Sequence, residues 1–304
     1  MAGLREISGR IRSVRDTMKI TNAMYMISST KLRKAKKDAE LNNPYFEAMQ
    51  EMLINIMNTS DHLEHPYTDR RTDKKREDRI HAVIVVTADK GLAGAYNHNV
   101  LKFTEEKFLR GKENIRLFVV GEAGRQYYAS RKVHLDGQFK YTAQNPTLHR
   151  ARVICDEMID EFISGRCDDV SIVYTGMKDQ LTTEPRVMHL LPIVPEEVDG
   201  RIYTEGDYSD DLNFLPSASK VMDIVVPDLL MGYIFSVLIE SYCCEQNDRM
   251  LAMDAADRNA SEMIRDLSVQ YNRERQAMIT QEITEVASGA KAQRRAKSRR
   301  ESRE

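Results

Sequence analysis

The sequence predicts an α/β protein with a long antiparallel coiled coil, in which the N- and C-terminal helices form a shaft and the middle folds as a Rossmann-like, mostly parallel sheet domain. Three observations predict it. Apolar residues keep a seven-residue beat from Leu4 to Ile56. A second helical stretch, from about Ser217 to Ser288, has no Gly or Pro after Gly232 and carries a stripe of its own. Between the two, strand-like and helix-like runs alternate.

The first seam is written by Leu4, Ile7, Ile11, Val14, Met18, Tyr25, Leu32, Ala35, Ala39, Phe46, Met49, Leu53 and Ile56. One seam needs another to pack against. Ile264, Leu267, Tyr271 and Met278 supply it, with a slip of one residue near Glu274 before the beat resumes at Ile279, Ile283 and Val286. At about 1.5 Å of rise per residue, the first helix is about 85 Å long and the second about 110 Å. An aromatic fraction of 7% with no Trp suits helices better than a large sheet core, and the 16 Met suit a seam with irregular neighbours. Ordinary core packing accounts for the same Met spacing.

The chain divides accordingly into an N-terminal shaft helix over 1–59, a linker over 60–79, a central α/β domain over 80–212, a C-terminal shaft helix over 213–290 and a basic tail over 291–304. The linker is rich in His, Asp, Arg and Lys and has no apolar period, which reads as a loop leaving the first helix. In the central domain Ile80–Thr87 is a β-branched run suited to a buried strand, and Ile115–Val120 and Val170–Tyr174 repeat it. Helices are expected at about Asn99–Leu109, Glu122–Ser130 and Thr147–Ser164, so the sheet is of parallel type with right-handed crossovers. Val187–Val194, crossed by Pro192, fits an edge strand.

The formal net charge of −2 hides an uneven distribution. Before Leu41 the first helix carries Arg5, Arg10, Arg12, Arg15, Lys19, Lys31, Arg33, Lys34, Lys36 and Lys37 against Glu6, Asp16, Asp38 and Glu40, whereas the stretch from Glu196 to Asp211 is acidic, broken only by Arg201. Such asymmetry points to charged partners or to a solvated helix face. Nucleic acid is disfavoured, because the heptad positions are apolar and no aromatic residues interleave with the basic ones as a base-stacking surface requires.

Cys155, Cys167, Cys243 and Cys244 have no C-x-x-C spacing, and neighbours at 243 and 244 point in different directions on a helix, so all four read as reduced thiols. No signal or transit peptide precedes the heptads, and no apolar run reaches the roughly 18 residues of a membrane span. A soluble, cytoplasmic chain is expected, meeting a membrane only through a partner.

The loop after the first strand, DKGLAGAYN at 89–97, has the look of a phosphate-cradling turn. Yet Gly91 and Gly94 give G-x-x-G rather than G-x-G-x-x-G, no Lys-Ser/Thr pair follows, and no ribose-binding acid closes the second strand. The seven histidines, His81, His98 and His189 among them, lack ligand spacing, and no Ser, Cys or carboxylate has a partner at catalytic spacing. No catalytic, cofactor-binding or metal residue is therefore assigned. Two alternatives stay open on the residues alone: a dinucleotide-dependent enzyme with coiled-coil dimerisation arms, and a coiled-coil scaffold for nucleic acid.

The opening MAGLREISGRIRSVRDTMKITNAMYMISSTKLRKA and the closing RQAMITQEITEVASGA resemble the gamma subunit family of the rotary F-type ATP synthase. The family's closing signature is met at Ile279, Thr280, Glu282, Glu285, Gly289 and Ala290, and GLAGAYN and ESYCCEQNDRMLAMDAADRN extend the similarity over nearly the whole chain. The resemblance implies a non-catalytic central rotor stalk, coupling ion-driven rotation of a membrane c-ring to conformational cycling of catalytic beta subunits. It also implies as partners a ring of alpha and beta subunits around the shaft, an epsilon subunit and the c-ring, at the cytoplasmic face of the bacterial cell membrane. No direct membrane insertion and no cofactor are implied. On the same basis Met24 and the patch Lys31, Arg33 and Lys34 face acidic beta-subunit loops, and Arg275, Gln276, Thr280 and Glu282 form a polar cluster gripping beta-subunit loops at the ring's waist. Asn22 stands where the family usually has Lys. Lys291, Arg294, Arg295, Lys297, Arg299, Arg300 and Arg303 form a tail beyond the usual family end, expected to be disordered.

Overall fold

The computed structural model describes residues 2–59, 65–110, 114–139, 143–179, 182–194 and 214–301. The acidic stretch from Glu196 to Asp211 lies outside the described residues. The chain forms two compact units, one of Met1–Met26 with Met253–Glu304 and the other of Ile27–Ala252.

Helix α1 runs over Ala2–Thr59 and helix α5 over Ala218–Glu301. Between them lie β1 (His81–Val86), α2 (Tyr96–Thr104), β2 (Ile115–Val120), α3 (Glu122–Ser130), β3 (Gly137–Phe139), α4 (Leu148–Ile163), β4 (Asp169–Met177) and β5 (Thr183–Leu191). A π-helical turn, Glu105–Leu109, continues α2. The sheet order is β3-β2-β1-β4-β5, parallel except for β5, which pairs antiparallel with β4. The mostly parallel, doubly wound sheet follows from the alternation of strands and helices.

The sheet's two faces are covered by different helices. Val83 and Val85 of β1 pack with Val100 and Leu101 of α2 and Tyr128 of α3, while Ala82, Ile84 and Val86 pack with Ile154, Met158 and Phe162 of α4. That alternation is the period-two geometry of a strand buried on both sides. The same face as α4 receives Leu53 and Ile56 of α1 and Met222, Val226 and Leu229 of α5. Within this unit the two long helices run antiparallel, since Lys36 lies near Cys243 while Phe46 meets Gly232 and Phe235.

Several expectations are corrected. The edge strand is Thr183–Leu191 and stops before Pro192, and Pro185 is tolerated in it because an edge strand can spare an N–H. Strand β3 went unread, since three residues are too short to show a period. From residue 65 on, the linker holds two short 3-10 turns, Pro66–Thr68 and Arg76–Asp78, and is anchored: His65 and Tyr67 are buried, the Tyr67 carbonyl accepts from Ile193 N–H at 2.7 Å, and His65 Nε2 lies 3.2 Å from Asp223 Oδ1. Lys74 Nζ and the Ile80 N–H both donate to Asp168, at 2.7 and 2.9 Å. The tail continues α5 as helix through Glu301, because nothing after Gly289 stops it and Ala, Lys, Arg, Gln and Glu are good helix formers. Helix α5 also holds one stretch long and apolar enough to cross a membrane, of mean hydropathy 1.8, which the sequence reading missed because scattered acids interrupt it. In that stretch 67% is buried inside the protein, as in a core helix.

Candidate partner interface

In the unit of Met1–Met26 and Met253–Glu304, the seam is buried or half-buried up to Met278, but Ile279, Ile283 and Val286, where the beat was expected to resume within it, are exposed. Ile7 is buried and Leu4, Ile11, Val14 and Met18 are half-buried on α1; Ile264, Leu267, Tyr271 and Met278 are half-buried on α5. Ser261 Oγ lies 3.9 Å from Met18 Sδ, where the two helices face one another. Met24 is half-buried on α1. From Ile279 to Gln293 every α5 side chain is exposed, including Ile279 at 41%, Ile283 at 63% and Val286 at 73%. Residues 279, 283 and 286 stand at i, i+4 and i+7, one continuous apolar stripe.

Arg275, Gln276, Thr280 and Glu282 are exposed on the same part of α5. The Thr280 hydroxyl donates to the Gln276 carbonyl at 3.0 Å, which leaves its oxygen lone pairs outward as acceptors. The strip thus offers a guanidinium fork, an amide, a hydroxyl acceptor and a carboxylate, a set suited to hydrogen-bonding a protein loop.

In the unit of Ile27–Ala252, the predicted basic patch divides. Lys31 and Lys34, three residues apart on one face of α1, line a cavity of about 260 Å³ with Asp38, Asn145 and Tyr242. Arg33 points elsewhere, as the helical period dictates, and is exposed.

The same unit holds an arrangement that the sequence reading missed. At the carboxyl edge of the sheet, the chain leaves β1 and β4 in opposite directions, which is where doubly wound folds place a ligand. Here that crevice is filled by α5. Tyr96 Oη lies 2.7 Å from Ser241 Oγ, and Arg249 Nη2 donates to the Gly91 carbonyl at 3.2 Å. Glu240 accepts from Met177 N–H at 3.1 Å, and Thr183 Oγ1 donates to Asp248 at 2.9 Å. Arg249 is ion-paired with Glu245 at 2.6 Å, both side chains at least nine-tenths buried. Burial pushes the Glu245 carboxyl up, against the pull of the Arg249 charge. Ala88, Ala93, Tyr96 and Cys244 close the gap with apolar contact. The loop that resembled a phosphate cradle therefore binds a helix of its own chain. The signal was present in the text: GLAGAYN and ESYCCEQNDRM are the segments that meet, and Glu245 and Arg249 stand at i, i+4.

Burial decides the thiols. It pushes Cys155 and Cys167 up to about 12 and Cys243 to about 11, and raises Cys244 as well, so none is a thiolate at neutral pH. Among the described residues no group of three or more His, Cys, Asp or Glu side chains is placed to hold a metal ion.

A family model described as ATP synthase matches residues 3–293. The chain is 39% identical over 290 residues to the ATP synthase gamma chain of Ruminiclostridium cellulolyticum, covering 95% of this chain and 98% of the relative. It is 39% identical over 299 residues to that of Acetivibrio thermocellus, covering 96% and 99%. In fold it is similar to a chain of the Euglena gracilis mitochondrial ATP synthase, seen by cryo-electron microscopy with OSCP, F1 and c-ring in rotational state 3. There the TM-score is 0.68 at 15% identity, over 97% of this chain and 96% of that one.

Proposed function

We infer the working of this chain from its family: it belongs to the gamma chains of ATP synthase, and its role is that of the rotor stalk. It is a non-catalytic subunit of that complex, a peripheral component at the cytoplasmic face of the bacterial cell membrane. Its partners are a ring of alpha and beta subunits around the paired helices, an epsilon subunit and a membrane c-ring. The filled crevice supports the non-catalytic reading, since the place where a doubly wound sheet holds a nucleotide is taken by α5.

The observation that carries the reading is the end of α5. Ile279, Ile283 and Val286 form an apolar stripe that is exposed among the described residues, flanked by exposed Arg275, Gln276, Thr280 and Glu282. A surrounding sleeve of subunits would cover the stripe, and its loops would meet the polar strip at particular angles only. Coupling of that kind needs contact that differs between states, because a shaft with equal affinity for every state shifts none of them. Met24 and the exposed Arg33 belong to the same set of partner contacts, and Lys31 and Lys34 present their charge at the mouth of a cleft.

The experiment is Arg275→Ala with Gln276→Ala in the reconstituted complex, measuring steady-state ATP hydrolysis and ion pumping together. Both are expected to fall by roughly tenfold or more while assembly is retained, the scale of losing one charged hydrogen bond. Unchanged hydrolysis and pumping would return these residues to a solvated helix face.

A further inference from the structure

We propose that the ligand crevice of the sheet domain serves as a rotational clamp on α5, so that torque delivered to the domain passes into the helix through Ser241, Glu245 and Arg249 on one side and Glu240 and Asp248 on the other. The proposal rests on the rotor reading and names the residues that make the domain and helix turn together.

The argument is one of direction. Apolar packing, which joins α5 to the sheet face, is non-directional and resists separation more than it resists rolling. Hydrogen bonds have tight angular requirements and resist rolling. The contacts at the crevice fall into two rows. Ser241, Glu245 and Arg249 stand at i, i+4 and i+8 and serve the loop after β1 and the start of α2: Tyr96 Oη is 2.7 Å from Ser241, and Arg249, held by Glu245 at 2.6 Å, reaches the Gly91 carbonyl at 3.2 Å. Glu240 and Asp248, also i and i+8, serve the β4–β5 hairpin, through Met177 N–H at 3.1 Å, Arg186 at 3.7 Å and Thr183 at 2.9 Å. Cys244, in the same row as Glu240 and Asp248, packs against Ala88, Ala93 and Tyr96 between the two sides. Turning α5 about its axis in one sense stretches the first row, and in the other sense the second. The rows extend over nine residues, about 13 Å of helix.

The location strengthens the argument. A crevice at a strand-order reversal is a concave site ringed by backbone N–H groups and carbonyls, and here those groups (Met177 N–H, the Gly91 carbonyl) go to α5. Five polar side chains, two of them a buried ion pair, are more than apolar adhesion needs, since a buried ion pair adds little to stability over an apolar pair of the same volume. Their use is angular register.

The test uses the assembled complex, with the alpha–beta ring fixed to a surface and a probe on the sheet domain. Torsional stiffness is read from the angular fluctuations of the stalled rotor. The variant Y96F/E245L/R249M removes the first row but keeps its volume and so its packing. Angular variance is expected to rise at least twofold, with the melting temperature of the complex unchanged within a few degrees. Unchanged variance in this variant overturns the clamp. Should the triple variant fail to assemble, Y96F alone removes one directional contact at nearly constant volume: a measurable rise in variance supports the clamp and an unchanged one overturns it. R249K, which keeps a charge for Glu245, is expected to lie between wild type and the triple variant. Failure of the wild-type chain to assemble with the ring would instead sink the rotor reading itself.

Discussion

Asp168 carries a fully buried carboxylate that the sequence marked in no way. Burial alone would raise its pKa, but the Lys74 hydrogen bond, the Ile80 N–H and the Lys74 and Arg71 charges outweigh it and hold the group below the ordinary aspartate value of 3.8. A carboxyl whose pKa is lower folded than unfolded binds fewer protons when folded. Its stabilisation is therefore present above the unfolded value and is lost as pH falls through the folded one. Asp168→Asn is expected to cost about 1.5–3 kcal/mol at neutral pH, the range for hydrogen bonds to a charged group. The difference from wild type should shrink below about pH 4, as measured by urea unfolding at a series of pH values. A difference independent of pH would mean that the site works by shape and not by charge. Buried Glu245 moves in the opposite direction, because there desolvation wins over the Arg249 and Lys31 charges.

At the scale of elements, the contact between α1 and α5 turns on one glycine. A Cβ at Gly232 would stand 2.1 Å from the Phe46 ring, so the helices reach their spacing only without a side chain there. Alanine would gain up to about 1 kcal/mol in helix propensity. It would lose about 1–3 kcal/mol to overpacking against a ring that is itself buried in the core. Gly232→Ala is expected to destabilise by up to about 2 kcal/mol by these two terms, and Phe46→Leu in the same chain should recover part of the loss. A stabilised single variant would show that the ring moves freely. The elements themselves were largely legible: α3 was read residue for residue, and β1, β2 and α4 to within two residues. What escaped was short or context-dependent, such as β3, whose Gly137 lies under the Phe118 ring and shows no pattern of its own.

For the whole chain, the stripe on α5 that is exposed among the described residues sets its behaviour in isolation. Ile279, Ile283 and Val286 expose apolar surface in a continuous line, a feature that drives association unless a partner covers it. The purified chain is expected to sediment as a concentration-dependent mixture, and Ile283→Lys with Val286→Lys is expected to shift it towards monomer. The same pair should weaken assembly with the alpha–beta ring. Identical sedimentation of variant and parent would place the sticky surface elsewhere, for instance at Leu41 and Tyr45 of α1, which are 71% and 52% exposed.

Periodic features of this protein were determined by the sequence alone. The two seams, the buried strands and the sheet's parallel character each repeat over many residues, and a repeat of 3.5 or 2 can be read without knowing what lies opposite. Of the closing polar strip, Thr280 and Glu282 stand in the signature, and all four residues are exposed on α5, while their contact with a partner is the proposal made above. The tertiary structure alone decided which segments meet across long gaps: Gly91 with Arg249, Tyr96 with Ser241, Lys74 with Asp168. Each of these is a single pair more than ninety residues apart in sequence, and a single pair has no period. It also decided the fate of the glycine-bearing loop, because an empty crevice and one occupied by the chain's own helix are written in the same residues. The difference lies in burial, which makes the Glu245–Arg249 pair a fixed contact inside the fold where the sequence shows only two charges four residues apart.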